Sequence, residues 1–396
     1  MSNGRAITPP RQDFSDIAKL FPTTFDVSVL PPFLVIRVRQ LPPKPWPFTI
    51  SGLPVQVTTT EYDEPLKKGI LAGGPKILPQ LDLHRTINYT HALLLQVIEA
   101  YHQLKIKISH IFWFGGFWQV SVPDDIDLKR LPYLAASCPV FYHKDFENPH
   151  PVPAALRSKP PQGVEYDDTM YATSGTALLR PGIMLSSSPR TTTRDGKTEE
   201  TWKSTTSGIL VADVNGELFV TIATHGFEDD GLVYHPNPHN GKVIGRIMQS
   251  LPDTDISLLR LHPGLRYVNE TFGTISDPQG MLLTGLSPCA PPHLQIYDSI
   301  TMNNPFTGNC EGLTMAVGVR ISDDPNAKYV AHQWMIFENG NEPVDGSCGC
   351  PILDAEGRVI GLFRFKAADS NMCLCVSSVE LRELGYEICG GEQSFK

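Results

Sequence analysis

At 396 residues the chain exceeds one ordinary core, so two or three domains are expected. Hydrophobic residues make up 41% and charged residues 19%, enough apolar material for packed cores, which excludes a wholly disordered chain. The formal charge of -9 argues against a nucleic-acid partner, because neutralising phosphates requires a basic surface.

The first 20 residues, "MSNGRAITPPRQDFSDIAKL", lack the apolar stretch of a secretory leader. No run reaches the roughly 20 apolar residues that span a bilayer. The expectation is a cytoplasmic protein with no membrane association. "PFLVIRVRQL" (32–41) and "VQVTTTEY" (55–62) read as strands from their β-branched content. "THALLLQVIEAYHQL" (90–104) places Leu94, Val97, Ile98, Tyr101 and Leu104 at helical spacing. "IKISHIFWFGGFWQVSV" (106–122) reads as two short strands around Gly115-Gly116, its aromatics forming either a core or a binding face. Of the 35 prolines, 21 lie in the first 165 residues, and the cluster at 148–165 marks a linker. Residues 1–165 are therefore expected to form an α+β domain of unknown role, with a possible protein partner, and 166–396 a second domain.

The polar run 186–207, "SSSPRTTTRDGKTEETWKSTTS", reads as a long loop or a hairpin. Around it and beyond, short strand-like runs recur between turn signals, among them "SGILVADV" (207–214), "ELFVTIAT" (217–224), "DISLLRL" (255–261), "LTMAVGVRI" (313–321) and "YVAHQWMIFE" (329–338). Many short strands with little helix imply a sandwich or a pair of barrels. "SSVELRELGYEI" (377–388) is the one plausible helix of this half.

Seven of the eight cysteines lie beyond residue 288. In a reducing compartment such a cluster means thiols or metal ligands rather than disulfides. Cys348-x-Cys350 and Cys373-x-Cys375 together offer four sulfurs, although this spacing differs from that of structural zinc pairs. Strand alternation puts Cys373 and Cys375 on one face, which core packing explains equally well.

Three segments fall into an order. "GELFVTIATHGF" (216–227) is a strand ending in Ala223-Thr224-His225. "LPDTDISLLRL" (251–261) has Asp255 opening an apolar strand, and "DGSCGCPILDAEGRVIGLFRF" (345–365) is a glycine-rich turn feeding a hairpin. Over residues 170–390 the chain resembles the trypsin/chymotrypsin-like proteases of the PA clan, whose triad runs histidine, aspartate, nucleophile along the sequence. Gly346-Ser347-Cys348-Gly349-Cys350-Pro351 fits their nucleophile motif when Cys348 stands where the family has serine. Choosing Ser347 breaks the Gly-x-Pro that should follow.

The resemblance implies a mainly β fold, a trypsin-like double β-barrel preceded by the smaller α+β domain. It implies an endopeptidase acting on peptide or protein substrates without a cofactor. Cys348 would attack the carbonyl, His225 would move the proton, and Asp255 would orient the imidazole. The N–H groups of Gly346 and Cys348 would form the oxyanion hole, and Arg364 and Phe365, on the strand after the hairpin turn, would bind substrate. Cysteine for serine is a departure, since a thiol ionises far more easily than an alcohol and depends less on the aspartate. A degenerate barrel that grips peptides without cutting them is the rival reading, and a zinc-stapled structural protein a weaker one.

Overall fold

The computed structural model describes residues 11–30, 33–40, 49–50, 53–58, 70–83, 88–123, 125–144, 178–194, 197–227, 230–239, 241–272, 280–288, 296, 298–321, 329–337, 343–366 and 372–395. The proline cluster at 148–165 lies outside them. Two units emerge. Among the described residues, one combines those up to 144 with 316–321 and 329, and the other holds the rest.

The first unit opens with helix α1 (Arg11–Leu20) and strands β1 (Thr24–Leu30), β2 (Phe33–Val38) and β3 (Leu53–Thr58). β2 lies between an antiparallel β1 and a parallel β3. Its Val35 and Ile36 are fully buried, as a central apolar strand requires. Helix α2 (His91–Gln103) is capped by Thr90, whose hydroxyl accepts from Leu93 N at 3.1 Å. Its buried stripe is Leu94, Val97, Ile98 and Tyr101, so the expected periodicity and the observed face coincide. β4 (His110–Trp113) and β5 (Trp118–Val122) form a hairpin in which Trp113 faces Trp118. Gly115 turns it at φ 78°. β6 (Cys138–Lys144) runs parallel to β5. Both tryptophans are buried, so this aromatic group is core. Residues 317–320 belong to the same unit and pair antiparallel with β4, from Val317↔Trp113 to Arg320↔His110.

In the second unit, 186–207 contains a hairpin, Arg190–Arg194 against Lys197–Thr201. The strands that follow make two sheets. The first is built from β7 (Met184–Ser186), β8 (Ser204–Thr206), β9 (Leu210–Ala212), β10 (Leu218–Ala223), β11 (Leu232–His235), β12 (Lys242–Leu251) and β13 (Ile256–Leu261). Their order is β8-β7-β11-β12-β13-β10-β9, and Glu387–Ile388 adds to β9. Leu185, Leu210, Ile222, Val233 and Leu259 fill its interior.

The second sheet comprises β14 (Ser299–Asn304), β15 (Gly308–Arg320, of which residues up to 315 belong to this unit), β16 (Val330–Phe337), β17 (Pro351–Leu353), β18 (Arg358–Lys366) and β19 (Met372–Ser377). Its order, β14-β17-β18-β19-β16-β15, returns on itself because β14 also pairs with β15. Closure removes the sheet's edges. The chain is thus mainly β, with a closed six-stranded barrel and a half-barrel, the pair of barrels expected from the sequence. Cys310, Cys350, Cys373 and Cys375 are fully buried among Ile300, Met302, Met335 and Ile352 in the closed barrel's core. The expected C-terminal helix is only five residues, α3 (Val379–Glu383), because Gly385 at φ 84° ends it. Among the described residues no helix is long and apolar enough to cross a membrane.

Candidate active site

Each sheet of the second unit delivers part of one constellation. β10 ends in a tight turn at Thr224–Gly226, which presents His225 at the surface. Gly226 is required there, since a Cβ would lie 2.1 Å from the Thr205 methyl carbon. Thr224 N donates to Asp255 O at 2.9 Å, stitching this turn to the start of β13. Hydroxyls extend the stitch: Thr224 Oγ1 and Ser250 Oγ each lie 2.8 Å from Ser257 Oγ.

Asp255 adopts φ 61°, a left-handed conformation that aspartate tolerates better than most residues. Its carboxylate accepts from the His225 backbone N–H at 3.0 Å on Oδ1, and Oδ2 lies 2.6 Å from His225 Nδ1. The imidazole remains about half exposed while Asp255 is mostly covered, 52% against 13%. Burial works against a charged ring, but hydrogen bonds with Asp255 and Cys348, and the negative charges behind them, prevail and lift His225 to about 10.

Cys348 comes from the turn that precedes β17. Gly346 at φ 102° and Gly349 at φ 89° hold this turn in a backbone shape that only glycine adopts readily. A Cβ on Gly346 would strike the Phe306 ring at 2.7 Å, and one on Gly349 would meet Thr206 O at 2.5 Å. Thr206 grips the turn from the first sheet: its N–H donates to Cys348 O at 3.0 Å and its hydroxyl to Gly346 O at 2.8 Å. The Gly346 and Cys348 N–H groups donate to no acceptor among the described residues. Ser347 is fully buried with its hydroxyl 3.5 Å from Asn304 Oδ1, whereas Cys348 is half-buried and reaches His225. Cys350 is sealed in the core and donates to Asn303 O at 3.2 Å, and burial pushes its thiol well above the ordinary range.

Arg364 and Phe365 follow on β18. The carbonyl of Arg364 accepts from Cys348 Sγ at 3.0 Å, while its guanidinium approaches Asp255 Oδ2 (Nε, 3.6 Å) and His332 Nε2 (Nη1, 3.2 Å). Phe365 packs edge-on against Trp334, centroids 6.1 Å apart. Thr206 and His332 carry no sequence signal of their own, because a threonine in "STTSG" and a histidine inside an apolar strand have unremarkable local patterns. A small cavity beside the carboxylate is lined from both sheets, by Ala223, Thr254, Asp255, Gly349, Phe363 and Arg364. Among the described residues no group of three or more histidine, cysteine or acidic side chains is placed to hold a metal.

No family model matches the chain, and no curated protein does. Solved structures similar to it include a glutamic acid-specific serine protease described as using a histidine triad in substrate binding, 13% identical with a TM-score of 0.38, which covers 53% of this chain and 100% of that one. A Nocardiopsis protease is 12% identical, TM-score 0.36, over 53% and 98% of the two chains. Protease A of Thermobifida fusca is 12% identical, TM-score 0.37, over 54% and 100%. At these identities and TM-scores the likenesses bear on no residue's role.

Proposed function

We propose that the second unit is an endopeptidase that cleaves peptide or protein substrates with Cys348 as nucleophile. The observation that carries this reading is the meeting of Cys348, His225 and Asp255 beside two unclaimed backbone donors. With Nδ1 engaged by Asp255, the other ring nitrogen of His225 is left for the sulfur. The thiol proton passes to His225, the thiolate adds to the scissile carbonyl, and the N–H groups of Gly346 and Cys348 receive the developing oxyanion. His225 then protonates the departing amine, and a water deprotonated by His225 hydrolyses the thioester. Asp255 fixes the tautomer and favours the imidazolium. Substrate lies along β18, against the Arg364 main chain and the Phe365 ring.

The test exposes a proteome-derived peptide library to the wild type, Cys348→Ala, Cys348→Ser and His225→Ala, with products read by mass spectrometry. Cuts made by the wild type and lost in Cys348→Ala and His225→Ala are expected. Cuts that persist in Cys348→Ala would overturn the assignment.

A second reading, a peptide-binding module without turnover, draws on the Cys348 thiol donating to Arg364 O at 3.0 Å, which directs its proton away from His225. On that reading the same library yields peptides retained by the wild type and by Cys348→Ala alike, and no cuts.

A further inference from the structure

Arg364 is the extra residue of a β-bulge. The β18–β19 register steps from Phe363↔Cys375 to Phe365↔Leu374, so the ladder steps over Arg364. A bulge re-aims the side chain it carries, and here both ends of Arg364 turn toward the same site. Its carbonyl meets Cys348, and its guanidinium spans His332 and Asp255.

The geometry fixes the order of donors along this span. His332 is buried, and its Nδ1 lies 2.9 Å from the Val330 carbonyl, an oxygen that only accepts. Nδ1 therefore carries the proton, and Nε2 presents its lone pair to Arg364 Nη1 at 3.2 Å. An arginine that is always charged and held by its planar fork cannot swing away as a lysine can. Its Nε is thereby kept 3.6 Å from Asp255 Oδ2, the oxygen that also faces His225 Nδ1 at 2.6 Å.

We infer that Arg364 is a positioning residue for the Asp255–His225 pair, aimed by His332 and acting through the Asp255 carboxylate. This rests on the peptidase reading for its kinetic consequence, but not for the electrostatics. The fixed cation orients the carboxylate and offsets part of its negative field, so His225 releases its proton more readily than Asp255 alone would allow. The side chain would have to leave both partners to receive an acidic substrate group. Other titratable or charged groups facing this cluster include Cys348, through the ring of His225, and Lys203, whose Nζ lies 3.1 Å from His225 O.

The test measures iodoacetamide alkylation of Cys348 between pH 5 and 11, resolved by peptide mass spectrometry, in the full chain and in Arg364→Gln, Arg364→Lys and His332→Gln. The change in alkylation that follows loss of the His225 proton is expected to move upward in Arg364→Gln by roughly 0.5–1 pH unit. Arg364→Lys recovers less than half of that shift, and His332→Gln, which keeps an acceptor, moves less than Arg364→Gln. With a cleaved peptide in hand, kcat falls several-fold in Arg364→Gln and KM holds. Superimposable alkylation profiles in the wild type and a folded Arg364→Gln overturn the inference. So does a raised KM confined to acidic peptides with an unmoved profile, which would make Arg364 a substrate contact. Should Arg364→Gln fail to fold, Arg364→Lys decides, and a midpoint equal to the wild type overturns the inference. A wild type that cleaves no peptide removes the peptidase reading while the alkylation midpoints still decide the role of Arg364.

Discussion

His225 meets Asp255 twice, through its backbone N–H on one carboxylate oxygen at 3.0 Å and through its ring on the other at 2.6 Å. The carboxylate thus locates the histidine's main chain as well as its imidazole. Asp255→Asn isolates the ring's share, because asparagine also tolerates φ near 61° and can still accept from the backbone N–H. A thiol leans less on the orienting aspartate than an alcohol does, so kcat/KM is expected to fall about 10- to 100-fold, less than for a serine enzyme. Steady-state kinetics on a cleaved peptide provide the check.

The raised pKa of His225 sets a pH dependence. Its folded value of about 10 stands above its ordinary 6.5, so the proton is bound more tightly in the folded chain. The stability this contributes is fully present below pH 6.5 and is lost as pH rises from there through about 10. Thermal melts from pH 6 to 10.5 should show a decline in the wild type that is weaker in His225→Ala. The His225 ring should itself lose its proton with a midpoint near pH 10, read by NMR of the ring protons.

Gly349→Ala should damage the fold more than Gly346→Ala. Both positions carry positive φ, but the new methyl at 349 faces a backbone oxygen, Thr206 O, whereas at 346 it faces the Phe306 ring. A ring can turn slightly and a strand carbonyl cannot. Losses of about 3 kcal/mol or more and about 2 kcal/mol, respectively, are expected in urea unfolding.

Thr206→Val tests the grip on the turn that carries Cys348. It keeps the N–H bond to Cys348 O and removes only the hydroxyl bond to Gly346 O. A loss of about 1 kcal/mol is expected in unfolding. Freeing the peptide that follows Gly346 should lower kcat by roughly ten-fold with little change in KM, the signature of an oxyanion contact.

Local pattern made part of this molecule legible. The stripe from Leu94 to Tyr101 gave helix α2, and apolar runs gave β10 and β13, because those features depend on neighbours a few residues apart. The segments bearing His225, Asp255 and Cys348 stood out because their order and flanking glycines constrain backbone shape. What the sequence hid is non-local. Alternation along "GLFRF" suggests nothing of the bulge at Arg364, which exists only because β18 and β19 differ in register. Thr206 matters only because its strand reaches a turn 140 residues away. Leu384, four residues from the end of an expected longer helix, lies instead just past α3, since Gly385 takes a conformation that stops it.

Strand β15 has a consequence for dissecting the chain. Its last residues, 317–320, find their hydrogen-bonding neighbour in β4. A fragment cut to begin after residue 150 would keep those four residues and lose their neighbour, leaving Val317 and Val319 on a raw edge ready to recruit another chain. Such a fragment is expected to self-associate, and light scattering on it would reveal that before any assay of cleavage could be interpreted.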